Sequence, residues 1–274
     1  MSYYLTILVF LGFIYPTSLW AQQPVQAEPE ARPKIAIIID DLGYNLQRGQ
    51  ATISLPGAIT VAVIPHTPHA TRLANLAHNN HREVMLHLPM QSMNHSHLDA
   101  GGLTVDMNKE DFINTVKEDL AAVPHIKGVN NHMGSLLTSQ QQQMDWLMSE
   151  LTRYPLFFID SKTSRVSVAA KAAQSQQIPT RSRHVFLDNE RSLKPINQQF
   201  NRLIKRARTQ GDAIGIGHPN TATLEYLSAV LPLLDEAGID LVSASELVPG
   251  YKALSHKASS AEPESIAQLA LMPE

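Results

Sequence analysis

Short apolar segments of four to eight residues recur along this sequence and alternate with stretches of helical periodicity. The first of them, Lys34–Asp41 (KIAIIIDD), is apolar and β-branched on both faces, which is typical of a strand buried on both sides. Seven further strand candidates follow it: Ala58–Pro65, Glu83–Met90, Gly128–Ser135, Leu156–Ser161, Val185–Asp188, Ala213–Pro219 and Asp240–Ser245. Strands that alternate with helices in this way pair in parallel.

Helical patterns occupy the segments between these strands. Asn108 is the candidate N-cap of one helix, and Ser139 with Gln142 forms the capping-box pattern of another. Two more apolar stripes, which begin at 196 and 224, end at Gly211 and Gly238. About 220 residues of this kind favour a single closed or nearly closed β/α barrel. A doubly wound open sheet is the alternative.

Acidic residues and histidines stand at the carboxyl ends of the strand candidates. They are Asp40, Asp41, His66, His87, His132, Asp160 and His218. In parallel β/α folds these strand ends meet on one face, which is where ligands bind. The sequence therefore predicts a site built from several strand ends.

The sequence contains no cysteine, so a metal site in it has to use histidine and carboxylate, which suits zinc or a harder divalent ion. Asp41, His87 and His132 are the candidate ligands. Two adjacent carboxylates at a buried strand end are costly unless a cation lies nearby, which favours a metal ligand beside a general base. In the alternative interpretation the Asp40–Asp41 pair caps a helix and His87, within EVMLHLPM, is a core histidine.

Polar residues beside these candidates are expected to contact substrate. Asn131 and Ser135 lie in a segment where packing does not explain them. Arg183 and Asp188 are further candidates, because an arginine at that point can orient a carboxylate or the substrate. The alternative is that Arg181 and Arg183 only pair with Asp188.

Two groups of histidines are not expected to bind metal. His95 and His97 have a metal-like spacing but lie in an irregular loop with Gly101 and Gly102. His66 and His69 flank a proline in a turn that opens a helix, so a capping or rim position is the expectation.

The two ends of the chain differ from the core. Residues 1–21 contain an apolar run and no Asp, Glu, Lys or Arg, and they end at Ala21, which resembles a secretory signal with cleavage there. The run is shorter than a membrane span needs, although an uncleaved anchor is the alternative. Residues 22–32 have the composition of a linker, and residues 250–274 that of a disordered tail. The predicted domain thus covers residues 33–249 and lies outside the cytoplasm, in the periplasm or beyond it.

Six segments, taken in order, resemble the divergent polysaccharide deacetylases of bacterial envelopes. They are IAIIIDDLG (35–43), MLHLPM (85–90), GVNNHMGS (128–135), FIDS (158–161), FLDN (186–189) and GIGHP (215–219). The resemblance covers residues 33–248 and implies a single deformed barrel of seven or eight β/α units. It also implies that Asp40 is the general base, Asp41 a metal ligand and His218 the general acid, with Asp160 as the carboxylate that tunes His218.

The sequence departs from this resemblance at one metal ligand. The better-known polysaccharide deacetylases carry both metal histidines in one HxxxH-type motif, and no such pair follows His87. Because neighbouring strand ends lie side by side, we expect His132 to supply the second imidazole.

The resemblance, together with these candidate ligands, implies a metal-dependent hydrolase that removes acetyl groups from an N-acetylated envelope polysaccharide or peptidoglycan fragment, with zinc as the expected metal. A net charge of −3 and the lack of a basic run argue against nucleic acid as a partner. Two alternatives stay open. One is an inert or metal-free barrel that binds a glycan or a partner protein, and the other is a metal-dependent hydrolase of a different amide or ester.

Overall fold

The computed structural model describes residues 1–3, 31–94 and 96–252. The chain divides into two units, residues 1–31 and 32–274, and every described helix and strand belongs to the second. Most of the predicted signal, linker and tail lies outside the described residues, so these boundaries stay predictions. Within the described part of the chain, no helix combines the length and the apolar character that crossing a membrane requires.

The described strands form one parallel sheet. They are β1 (Lys34–Leu42), β2 (Thr60–Val63), β3 (Glu83–Met90), β4 (Ile126–Met133), β5 (Phe157–Asp160), β6 (Thr180–Ser182), β7 (Val185–Phe186), β8 (Asp212–Gly217) and β9 (Asp240–Leu241). Their order is β6-β5-β4-β3-β2-β1-β8-β7, and β9 pairs with the start of β1. The predicted parallel pairing is confirmed at every one of these described interfaces.

Helices connect the strands. They are α1 (Leu46–Ile53), α2 (Ala70–Asn79), α3 (Lys109–Ala122), α4 (Gln141–Leu151), α5 (Ala169–Ser175), α6 (Leu193–Gln210) and α7 (Thr221–Val230), with short 3-10 turns at Leu137–Ser139, Leu231–Leu233 and Ala244–Leu247.

Different parts of the chain pack against the two faces of the sheet. This difference distinguishes a β/α barrel from a doubly wound open sheet. Residues Ile35, Ile37 and Ile39 of β1 belong to the large core that includes the helices. The alternate residues Ala36 and Ile38 belong to a smaller inner cluster, which is made of strand residues and the chain around the turn at 244–247. Helices therefore cover only the outer face, and the sheet is a curled, half-open barrel rather than a doubly wound sheet.

Several sequence-based boundaries need correction. Ser139 does not cap α4, because it ends a 3-10 turn and α4 begins at Gln141 with no side-chain cap. The helix expected to run to residue 237 ends at Val230, where the chain tightens into a 3-10 turn that contains Pro232. Strand β6 was missed because only three polar residues form it. The Asn108 cap is confirmed, since its side chain accepts from the backbone N–H of Asp111.

Candidate metal centre

The carboxyl end of β1 brings two adjacent carboxylates to one point. Successive side chains of a regular strand face opposite sides, yet Asp40 and Asp41 both approach Nε2 of His87, at 3.6 and 3.2 Å. Asp41 adopts a left-handed conformation with φ +59°, and the pairing of β1 with β2 shifts register between Ile39 and Leu42. This irregularity is what allows both carboxylates to serve one site.

Three ligand-type atoms form a nearly equilateral triangle at this point. Asp41 Oδ1 lies 3.2 Å from His87 Nε2 and 3.0 Å from His132 Nδ1, and the two nitrogens are 3.1 Å apart. Ligand atoms held about 2.0–2.1 Å from a tetrahedral zinc ion lie about 3.3 Å from one another. The spacing of the three predicted ligands therefore fits a metal ion.

Hydrogen bonds behind both imidazoles leave the inward-facing nitrogens as acceptors. Nδ1 of His87 lies 2.8 Å from Asn130 Oδ1, and Nε2 of His132 lies 3.1 Å from Asp99 Oδ2. A ring nitrogen that faces an oxygen acceptor carries the proton, so the other nitrogen of a neutral imidazole keeps its lone pair. Three acceptors then converge on one point, and Asp41 Oδ1 is buried without a well-formed hydrogen bond. This donor set suits a divalent cation.

The two aspartates differ in electrostatic character. Burial opposes ionisation of Asp41. With no metal bound, hydrogen bonds from His132 and His87 and the positive charge that these rings can carry outweigh burial, and they hold the pKa of Asp41 well below the usual range. Burial dominates at Asp40 and raises its pKa, although His87 and His218 act in the opposite direction. Asp41 therefore suits a permanently charged ligand, whereas Asp40 suits a group that exchanges a proton.

Asn130, on β4, connects Asp40 with His87. Its Nδ2 donates to Asp40 Oδ1 at 2.8 Å, and its Oδ1 accepts from His87 Nδ1 at 2.8 Å. The side chain is fully buried. Because each end of the amide has a partner of the right kind, its orientation is defined, and it fixes the tautomer of His87.

Asp188 is the carboxylate beside His218, and the predicted pairing of Asp160 with His218 does not occur. Asp188 Oδ1 lies 2.9 Å from His218 Nδ1. Both oxygens of the buried Asp160 instead accept hydrogen bonds from the chain that follows β5, from the backbone N–H of Lys162 and from Ser167 Oγ. Strand β8, which ends directly before His218, pairs with β7 and not with β5, so the chain that follows β7 supplies the partner of His218.

The remaining predicted substrate residues are engaged with the backbone. Asn131 accepts from the N–H of Ser161 and donates to the carbonyl of Met133, at 2.9 and 2.8 Å. Ser135 Oγ accepts from the N–H of Met93 at 2.9 Å. These bonds hold the loops that follow β3, β4 and β5. The expected substrate contacts of both residues stay predictions.

In the alternative interpretation, Arg181 and Arg183 pair with Asp188. Neither arginine does so in the structure. Arg181 forms its ion pair with Asp212. Arg183 stacks over the ring of Phe186 at 3.6 Å and donates to the carbonyls of Ser161 and Lys162. A substrate contact by Arg183 remains a prediction.

The histidines that were not expected to bind metal lie apart from the triangle. His66 pairs with the buried Asp119 at 2.8 Å. His69 stands at the N-cap position of α2 without a side-chain cap bond. His97 is exposed, and His95 lies outside the described residues.

Asn130 and Asp99 are residues of the site that the sequence analysis did not single out. Asp99 lies in the loop between β3 and α3, close to the histidines that had been set aside, and it contacts His132 there. No strand, motif or periodicity marks Asp99, since its role depends on how the loop folds back over the barrel.

A cavity of about 270 Å³ opens over the triangle. Its walls are the predicted metal and proton-transfer residues together with uncharged side chains at the ends of β4 and β7 and in the loop that follows β5. These residues are Asp40, Asp41, His87, Asn131, His132, Met133, Ser161, Thr163, Phe186 and His218. Of the strand-end residues picked out in the sequence, all except His66 and Asp160 therefore line one cavity.

Comparison with known proteins identifies similar sequences along most of the chain. A model of the divergent polysaccharide deacetylase family matches residues 37–248. The chain is 39% identical over 222 residues to the uncharacterized protein YibQ of Escherichia coli K12, a match that covers 81% of this chain and 69% of that protein. It is 38% identical over 230 residues to an uncharacterized protein of Haemophilus influenzae, with 83% and 81% covered.

A solved structure shares the fold. The structure of an uncharacterized protein from Agrobacterium tumefaciens C58 superimposes with a TM-score of 0.77 over 81% of this chain and 92% of the other, at 22% identity. At 22% identity, this similarity shows that the two proteins share a fold.

Proposed function

This chain belongs to the divergent polysaccharide deacetylase family, and from that membership together with the geometry of its cavity we propose that it is a metal-dependent hydrolase of acetamido groups on an envelope polysaccharide. The observation that carries the proposal is the triangle of Asp41 Oδ1, His87 Nε2 and His132 Nδ1, with edges of 3.0–3.2 Å. It lies in the same cavity as a buried carboxyl group, Asp40, and a further imidazole, His218.

Asp41, His87 and His132 would hold the metal. A bound divalent ion polarises the acyl carbonyl and lowers the pKa of water. Zinc is the metal that we propose, because two imidazoles and one carboxylate are a ligand set of catalytic zinc sites, which keep a further position open.

Asp40 is assigned as the general base. Asn130 holds its Oδ1, so Oδ2 is the oxygen available to accept the proton of the attacking water. Burial raises the pKa of Asp40 towards the range in which a carboxylate accepts and returns a proton effectively at neutral pH.

His218 is assigned as the general acid. Burial disfavours its charged form, but the hydrogen bond to Asp188 and the negative charges of Asp41 and Asp40 raise its pKa to about 9. The imidazole is therefore protonated at neutral pH. Asp188 holds Nδ1, which directs Nε2 to within 4.0 Å of Asp41 Oδ2, where it can protonate the departing amine.

The proposed substrate is a neutral or weakly charged N-acetylated glycan. A cavity of about 270 Å³ accommodates an acetamido group with part of one sugar ring, so the rest of the polymer would lie along the rim. The chain carries a net charge of −3 and no basic track for a polyanion. A location outside the cytoplasm is part of the proposal and rests on the leader-like residues 1–21.

The test is acetate release by the purified protein after loading with zinc. Peptidoglycan fragments and chitooligosaccharides are compared with simple acetyl esters, and Asp40→Asn and His218→Asn serve as variants of the two proton-transfer residues. We expect release from at least one N-acetylated glycan and a loss of about 100-fold or more in each variant. Release from esters alone would point to a different hydrolase, and glycan binding without release to an inert barrel. Either outcome would overturn the proposal.

A further inference from the structure

The two histidines of the triangle present different nitrogens to its centre. His87 uses Nε2, whereas His132 uses Nδ1 and turns Nε2 towards Asp99 Oδ2 at 3.1 Å. The side chain of Asp99 is only 13% exposed. A carboxylate in this place accepts the Nε2–H of His132 and leaves Nδ1 as the donor atom of the ring.

We infer that Asp99 is a positioning residue of the metal centre, which selects the tautomer and the ring orientation in which His132 binds metal. The inference rests on the proposed function only in that it assumes a metal ion at the triangle. A carboxylate behind a ligating imidazole also makes the ring a stronger electron donor. Asp99 thereby adds negative charge near the ion without becoming a ligand.

The loop that carries Asp99 is anchored to the barrel. Gln91 N–H donates to Leu103 O, and Leu103 N–H donates to Pro89 O, each at 2.9 Å. The side chain of Gln91 also accepts from the N–H of Val105. These bonds fasten both arms of the loop to the end of β3, so the position of Asp99 is set before any metal binds.

The turn beside Asp99 is packed against a second imidazole–carboxylate pair, formed by the exposed His66 and the buried Asp119. A Cβ atom at Gly101 would lie 2.0 Å from Asp119 Oδ1 and 2.9 Å from His66 Cδ2. Only glycine permits this approach, and its φ of +79° also favours glycine. The His66–Asp119 pair, unused in the proposed chemistry, therefore supports the turn from which Asp99 reaches His132.

Tyr44 holds the other oxygen of the same carboxylate. Its hydroxyl donates a short hydrogen bond to Asp99 Oδ1. This bond raises the pKa of Tyr44 to about 12, so the hydroxyl remains a donor at neutral pH. Tyr44 lies three residues after the ligand Asp41, and thus one carboxylate connects the loop after β1 with the histidine of β4.

The inference is tested by metal affinity and by the spectrum of the cobalt-substituted protein, both measured without substrate. Asp99→Ala removes the acceptor, Asp99→Asn retains an acceptor without charge, and Tyr44→Phe removes the hydroxyl that holds Asp99. Asp106→Asn, an exposed position of the same loop, is the matched control. Zinc affinity is obtained by competition with a chromophoric chelator.

We expect Asp99→Ala to weaken zinc binding by about 10- to 100-fold and to alter the visible absorption of bound cobalt. Asp99→Asn and Tyr44→Phe should show smaller losses, and Asp106→Asn none. Unfolding of the metal-free proteins by urea reports whether a variant is folded. If Asp99→Ala does not fold, the zinc affinities and cobalt spectra of Asp99→Asn and Tyr44→Phe still test the inference.

Wild-type affinity and an unchanged cobalt spectrum in folded Asp99 variants would overturn the inference. Metal binding that depends on Asp99, in a protein that releases no acetate from any glycan, would support the inference and overturn the proposed function. A wild-type protein that binds neither zinc nor cobalt would overturn both.

Discussion

Asp188 Oδ1 lies 2.9 Å from Nδ1 of His218, and Oδ2 of the same carboxylate accepts three further hydrogen bonds. The donors to Oδ2 are the backbone N–H of His218, Asn220 Nδ2 and Thr223 Oγ1, at 2.7–2.8 Å. These bonds outweigh burial and lower the pKa of Asp188. A carboxylate held in this way stays charged and keeps the proton of the facing imidazole on Nδ1.

Replacing Asp188 by asparagine is expected to lower the pKa of His218 and to place the proton of its neutral ring on Nε2 instead of Nδ1. The amide oxygen should occupy the Oδ2 position, where three donors meet, so the NH2 group faces Nδ1 and favours its unprotonated form. The pKa of His218 then falls from about 9 towards 6.5. NMR titration of the metal-free protein measures this fall, and acetate release at neutral pH should drop by roughly 10- to 100-fold.

Thr223→Val is the matched control for this substitution, because it removes one bond to Oδ2 and leaves the contact between Asp188 and His218 intact. We expect the pKa of His218 to stay well above its ordinary value in this variant. An unchanged pKa in Asp188→Asn would show that Asp188 is not the cause of the shift.

Removal of one of the three candidate ligand side chains is expected to abolish metal binding. Asp41→Ala removes the carboxylate, and His132→Ala removes one imidazole. In each variant only two protein ligands remain, which is below the three of catalytic zinc sites. Metal content after dialysis against zinc measures the effect. Stoichiometric zinc in the doubly substituted protein would place the metal elsewhere, and His78→Ala, an exposed position of α2, should retain it.

Substitutions of Asn130 should separate its two hydrogen bonds. Asn130→Asp keeps an acceptor for His87 Nδ1 but puts a second carboxylate against Asp40, so the pKa of Asp40 rises. Since Asp40 acts as a base only when ionised, the acidic limb of the pH–activity profile should move to higher pH while zinc affinity stays near that of the wild type. Asn130→Ala loses both bonds and should weaken zinc binding by about 10-fold.

Asn201→Asp, on the exposed surface of α6, introduces the same charge change at a position that does not line the cavity. It should leave both the pH profile and the zinc affinity unchanged. Identical acidic limbs in wild type and Asn130→Asp would show that Asn130 does not act on Asp40.

His184 is expected to make the fold less stable in acid. Its Nδ1 accepts from the backbone N–H of Ile214 at 2.8 Å, which requires a neutral ring. Burial, together with the charges of Arg206 and Arg181, lowers the pKa of His184 to about 4. The unfolded chain binds the proton near pH 6.5, so the stabilisation is present above that pH and is lost as the pH falls from 6.5 to 4.

After allowance for partial solvent screening of this half-buried ring, the loss between pH 7.5 and pH 5 corresponds to about 1 kcal/mol of the free energy of unfolding. Urea unfolding at the two pH values measures it in the wild type and in His184→Asn, where the side chain keeps an acceptor that does not titrate. The variant should lose about 1 kcal/mol less on acidification. Equal losses in both proteins would assign the acid sensitivity to other groups.

The architecture and the grouping of Asp41, His87 and His132 at one point were predictable from the sequence, because both follow from local patterns of residues. A buried parallel strand is a run of apolar residues in the sequence, whichever strand it pairs with. Parallel pairing then brings the carboxyl ends of these strands to one face. A histidine or an aspartate at such an end therefore points to a site without knowledge of the neighbouring strands. For this reason Asp41, His87 and His132 could be named in advance as a group.

The partners of these residues depended on the tertiary structure. Strand order places the end of β7 beside β8, so Asp188 and not Asp160 meets His218. The β3–α3 loop folds back over the barrel and brings Asp99 to His132, over a separation of 33 residues that no periodicity encodes. A strand end is a property of a few consecutive residues and can be read from them. A hydrogen bond between distant segments is decided only when the sheet closes and the loops pack, and that step set the environment of each imidazole in this site.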